Sequence, residues 1–190
     1  MRFSKVPGFA LIVLALQGVL HLPAQGALIV FTDRGNFNVA APGLPVEGFE
    51  LATIPDGDVS AVPAPLNSSS SNTYFAAGSI LPGISFSTSA THSNDEIAIV
   101  GAGFMSNPSK LIVANYYSDS FRIDLNPGLM AIGFDVHTFN GAGPVEISVY
   151  STSSVLLGTY QTSASAAGVF WGVVSNADAI GSLILTDLSG

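Results

Sequence analysis

From residue 73 onward the chain alternates apolar and polar positions in short runs, each closed by Gly, Pro, Asn or Ser, and this two-residue period predicts successive β-strands. The runs are 73–77, 83–88, 97–100, 110–114, 118–125, 129–139, 145–150, 155–161, 168–174 and 180–187. No long helical period interrupts them. That argues against a parallel βαβ sheet and for a sandwich or barrel of antiparallel strands. Upstream, 27–31 reads as a short strand, Thr32 as an N-cap, and the stretch to Ala41, with Phe37 and Val39, as one or two helical turns weakened by Gly35. Strand character returns over 44–51, and 52–72, with its prolines, glycines and the serines of 68–71, reads as a long exposed loop.

The sharpest register expectation lies on either side of Asn126-Pro127-Gly128. A hairpin there sets Leu125 against Met130, Ile123 against Ile132 and Phe121 against Phe134, all facing inward. Ser120, Arg122 and Asp124 then share the other face with Ala131, Gly133 and Asp135, and His137 continues that face. Pro127 does not fit the positive φ of the favoured two-residue turns, so a looser connection is expected. A second hairpin follows from the alternation of Val145, Ile147 and Val149 with Glu146, Ser148 and Tyr150, leading through 151–154 into 155–161. Trp171, in an apolar run, is first of all a core or rim aromatic.

The first 26 residues change the setting. Arg2 and Lys5 precede an apolar run from Gly8 to Leu22, and Ala24-Gln25-Gly26 places small residues where a signal peptidase reads them. The run, about fifteen residues, is shorter than the ~20 of a stable transmembrane helix, so it reads as a cleaved signal peptide (1–26) rather than an anchor. The rest, 27–190, is the size of one domain. Setting the signal aside leaves Arg34, Lys110 and Arg122 against thirteen acidic residues, a balance that disfavours nucleic acid and anionic membrane surfaces as partners. Only 9% of residues are charged while 48% are hydrophobic, which favours a packed β fold with a surface of hydroxyls and amides over disorder. Cysteine is absent, which excludes disulfides and thiol chemistry.

Phe31-Thr32-Asp33-Arg34 with Phe37, and then Val46-Glu47-Gly48-Phe49-Glu50, resembles the opening of a family of bacterial exported β-sandwich domains that often end in a PEP-CTERM sorting tail. Later segments are similar in the same order: Ser120-Phe121-Arg122-Ile123-Asp124-Leu125, Ala131-Ile132-Gly133-Phe134-Asp135, Val149-Tyr150 before Leu156-Leu157-Gly158, and Phe170-Trp171-Gly172-Val173 with 180–185. The resemblance implies an all-β, antiparallel, jelly-roll-like sandwich with one short helix near the mature N-terminus, similar in fold to carbohydrate-binding modules. The chain departs from that pattern at Gly190, which follows the last strand without a Pro-Glu-Pro box or a terminal hydrophobic helix. Tail-directed attachment is therefore not carried over, and the expected location is secreted, cell-surface or periplasmic.

Candidate chemistry is sparse. Ile97 to Phe104 imitates the glycine turn of a dinucleotide site, but Ser106 and Asn107-Pro108 break the helix that would hold phosphates, leaving a turn. His92, Asp95 and Glu96 lack the fixed spacing of zinc ligands, and Asp56 and Asp58 around Gly57 read as turn residues. Likeness to jelly-roll modules puts Glu50 and Asp187 side by side at a structural calcium position, with carbonyls of 31–33 among the six to eight oxygens that calcium takes. Arg122, His137, Tyr150 and Trp171 are the candidate sugar contacts, if their sheet face is concave. Nucleophile elbows and metalloprotease motifs are missing, so a non-catalytic module binding polysaccharide or another component of the cell exterior is expected. The alternative is a polysaccharide hydrolase or lyase using a carboxylate pair. A matrix subunit associating through an open sheet edge is a third reading.

Overall fold

In the computed structural model, the residues described are 27–89, 96–116, 118–138 and 142–189. The signal-peptide assignment, and the expectation for His92 and Asp95, lie outside them. The described chain is all-β apart from one short helix, with every sheet pairing antiparallel. The strands are β1 (Leu28–Phe31), β2 (Val59–Pro63), β3 (Leu66–Asn67), β4 (Ile84–Ser89), β5 (Glu96–Val100), β6 (Leu111–Ala114), β7 (Ser120–Leu129), β8 (Ala131–Val136), β9 (Gly143–Ser151), β10 (Leu156–Ala164), β11 (Val169–Ser175) and β12 (Ile180–Asp187). They form a large sheet, β10-β9-β12-β7-β4-β3, a facing sheet, β1-β11-β8, and a third sheet, β2-β5-β6.

The last six strands explain the architecture. The β9·β10 hairpin is the inner member of a nested set, with β8·β11 outside it and β7·β12 outside that. Folding this long antiparallel ribbon over sends β8 and β11 to the facing sheet and seats β12 between β7 and β9, which is jelly-roll topology. One hydrophobic cluster draws on all three sheets: Phe86, Ile123, Ile147, Val149 and Leu183 from the large sheet, Ile132, Val136, Trp171 and Val173 from the facing one, and Val62, Ile97 and Ile99 from the third.

The expected β7–β8 hairpin does not form. β7 already has β12 on one edge and β4 on the other, so β8 crosses to pair with β11. The two-residue period survives this change of partner, because side-chain parity depends on burial and not on which strand lies alongside. Phe121, Ile123, Leu125, Ile132 and Phe134 belong to or pack on the core, whereas Met130, at the crossing, is 46% exposed. The Asn126–Pro127 peptide, in the last part of β7, is cis.

Four other expectations are corrected. Residues 44–51 and 73–77 are not strands, and the supposed loop 52–72 contains β2 and β3. The N-cap is Asp33, one residue later than Thr32: its Oδ1 accepts from the Asn36 N–H at 2.8 Å, opening α1 (Arg34–Ala40). The helix lies over the outer face of the facing sheet, where Gly133 and Gly172 are cross-strand partners. Phe37 is buried there between Phe31 and Phe170, with ring centroids 5.8 and 5.5 Å away. A Cβ on Gly172 would meet the Phe37 ring at 2.8 Å, so the glycine pair makes the helix seat. Arg34 closes the seat with a 2.6 Å ion pair to Asp135 and stacks over Phe170. Asp33→Ala is expected to cost about 1 kcal/mol by thermal denaturation, the loss of one cap on a helix held mainly by Phe37.

Candidate functional site

The outer face of the large sheet is built by the polar halves of the alternating strands. Its register gives one transverse row of Asn67, Ser85, Asp124, Ser182 and Tyr150. The next row is Ser87, Arg122, Ile184, Ser148 and Thr159. Beyond it, Ser120 and Thr186 hydroxyls meet at 2.8 Å, and Thr186 leads through Glu146 to Gln161. Hydroxyls and amides dominate this face, with Ile184 near its middle and the exposed Leu156 beside Tyr150 at its β10 edge as apolar side chains.

At one end of that face the Asn126–Gly128 segment of β7 and the β9–β10 turn rise to form a cleft of about 410 Å³, lined by Arg122, Asp124, Ser151, Thr152, Ser154 and Ser182 among others. Gly181 and Gly128 let the walls close. A Cβ on Gly181 would lie 2.6 Å from Thr152 Cα, and one on Gly128 would collide with the Thr152 methyl. Thr152 N–H also donates to Ala179 O at 3.1 Å, and Ser151 Oγ accepts from Ser153 and Val155 N–H, both at 3.2 Å. The turn is therefore fixed on the sheet.

Arg122 and Asp124 form the charged centre. Arg122 Nε is 2.9 Å from each carboxylate oxygen and Nη2 is 2.6 Å from Oδ1. Hydrogen bonding to Asp124 is the main cause of a raised Arg122 pKa; burial opposes it, and the charges of Asp124 and Tyr150 add to it. Both side chains remain about 40% exposed, so the pair adds little to stability but presents fixed donors and acceptors to solvent.

The candidate residues thus separate. Arg122 and Tyr150 share the face of the large sheet. His137 directly follows β8 of the facing sheet and bridges to Ser165, its Nδ1 lying 3.1 Å from Ala166 O, and Asp135 is taken by Arg34. The expected face shared by Arg122, Asp135 and His137 does not exist, because β7 and β8 belong to different sheets. Trp171 is 1% exposed between Phe134 and Tyr160, so its ring packs the core and offers no stacking surface to a ligand.

The carboxylates proposed for calcium have separate neighbours. Glu50 accepts from the Lys110 N–H at 3.3 Å, and Asp187 accepts from the Ser189 N–H at 2.8 Å and from its hydroxyl. Among the described residues no three His, Asp or Glu side chains are grouped to hold a metal ion. The Asp33 carbonyl accepts from Phe37 N–H, Asp58 N–H bonds Pro55 O in a turn, and Glu96 accepts from Asn115 at 3.0 Å. The glycine-rich segment after β5 is also a turn: buried Asn107 donates to Gly101 O and Ser109 O and accepts from Met105 N–H.

Asp124 and Ser182 join Arg122 in the cleft although sequence reasoning did not single them out as contacts. Their outward parity was readable, but their neighbours depend on β12 entering between β7 and β9. No helix among the described residues is long and apolar enough to cross a membrane. Comparisons with family models, curated proteins and solved structures gave no match.

Proposed function

We propose that this chain is a secreted, non-catalytic module of the bacterial cell exterior that binds hydroxyl-rich polysaccharide on the outer face of the large sheet. The cleft of Arg122, Asp124 and Ser182 is its anchoring subsite, with Tyr150 next to Ser182 in the same transverse row. The observation that carries this reading is the coincidence of a hydroxyl-lined cleft with a half-exposed, mutually oriented Arg–Asp pair. Vicinal sugar hydroxyls are donors and acceptors at once, and such a pair answers both roles. The residual charge of the chain, with three basic against thirteen acidic residues after the first 26, favours neutral glycans over uronates. The export-like N-terminus and the resemblance to exported sandwich domains support the location.

Titration calorimetry against a panel of neutral and acidic polysaccharides tests the reading. Binding of a neutral glycan is expected, and Arg122→Ala and Tyr150→Ala should each weaken it by about tenfold, the worth of one charge-assisted hydrogen bond or one stacked ring. Silence across the panel from folded protein would overturn it, and turnover of any member would replace it with the hydrolase or lyase alternative.

A further inference from the structure

We infer that β10 is a self-association edge, to which the β10 strand of a second copy adds antiparallel. Among the described residues β10 pairs only with β9 in the large sheet, so its outer side is an edge. A sheet edge presents alternate N–H and C=O groups, and proteins ordinarily blunt such edges with charge, proline or short length. The opposite edge of the same sheet follows that rule: β3 has two residues and comes directly after Pro65. The other sheets end on β1 with four residues, β6 with four, β2 closed by Pro63, and β8, which carries the ion-paired Asp135. β10 has nine residues, Leu-Leu-Gly-Thr-Tyr-Gln-Thr-Ser-Ala, with no charge and no proline.

A second copy fits this edge better than a foreign strand for a reason of symmetry. An antiparallel pair of identical strands has a two-fold axis, so every contact is made twice and the assembly closes at two copies. Around an axis near Tyr160, Thr159 of one copy faces Gln161 of the other on the outer side. Uncharged hydrogen-bonding side chains meet their like, although acidic residues far outnumber basic ones in the chain as a whole. The blunted β3 edge stops the sheet from growing into a fibre. If the glycan reading also holds, pairing sets two clefts on one continuous polar face, but the association itself does not depend on it.

Sedimentation equilibrium of the purified protein, without any glycan, provides the test. A reversible dimer is expected below about 1 mM. Thr159→Lys with Gln161→Lys brings four like charges together and should give a monomer with an unchanged melting curve, since both side chains are exposed. The corresponding double glutamate variant should also be monomeric. Mixing the two should restore a heterodimer. Wild-type protein that stays monomeric throughout the range, lysine and glutamate variants that dimerise as well as wild type, or folded variants that fail to pair on mixing would each overturn the inference. Because no sugar is present, none of these results bears on glycan binding.

Discussion

Replacing Trp171 with alanine is expected to remove about 3–5 kcal/mol of stability, a large share of the total for a domain of this size. The residue lies on the middle strand of the facing sheet and touches Phe134 of its own sheet and Tyr160 of the large one, at ring-centroid distances of 5.5 and 6.1 Å. It therefore fills the space between layers, and close-packed neighbours on both sides limit how far the void can collapse. Trp171→Phe should cost far less, about 1 kcal/mol. The indole Nε1–H is buried without an acceptor, and losing an unpaired donor offsets part of the lost volume. Urea denaturation of both variants measures the difference. A nearly neutral alanine variant would mean that the ring is not interior. Glycan affinity of the phenylalanine variant should match wild type, which separates a core role from the stacking role that the sequence left open for Trp171.

The strands after residue 83 are legible in the sequence because period-two alternation is a local consequence of burial on one face. Expected and observed bounds coincide for 180–187 and differ by a few residues elsewhere. Pairing is not local. Asn126-Pro127-Gly128 looks like a hairpin turn from its neighbours alone, but β7 is already flanked by strands from residues 84–89 and 180–187, which only the folded chain brings there. The same cause governs the site. The outward direction of Arg122, Asp124 and Tyr150 follows from parity, whereas their convergence requires β12 to lie between their strands. His137 falls away because β8, the strand it follows, belongs to the other layer. β2 and β3 were missed because Pro63 and Pro65 read as loop signals, yet both strands lie at sheet edges, where proline is tolerated.

Gly101→Ala is expected to be nearly as damaging as the loss of the core tryptophan, at about 3 kcal/mol or more, with a fall in melting temperature of roughly 10 °C. Gly101 directly follows β5, and its N–H donates to Asp58 O at 2.8 Å while Gly57 N–H donates to Ala102 O at 2.8 Å. These two bonds clamp the 55–58 turn against the backbone. A Cβ at 101 would collide with the Pro55 carbonyl oxygen and stand 3.2 Å from Asp56 Cα, and since both neighbours are main chain, no side-chain rotation relieves the clash. Gly103, two residues on, is the control: its φ is +81° but nothing lies within 4 Å of its Cβ position, so Gly103→Ala should cost only the left-handed conformation, about 1–2 kcal/mol. The pair gives the glycines of Ile97 to Phe104 a physical use. The motif's resemblance to a phosphate-cradling loop arises because close backbone approach needs glycine whatever approaches, and here the approaching group is Pro55. Equal melting temperatures for the two alanine variants would refute that assignment.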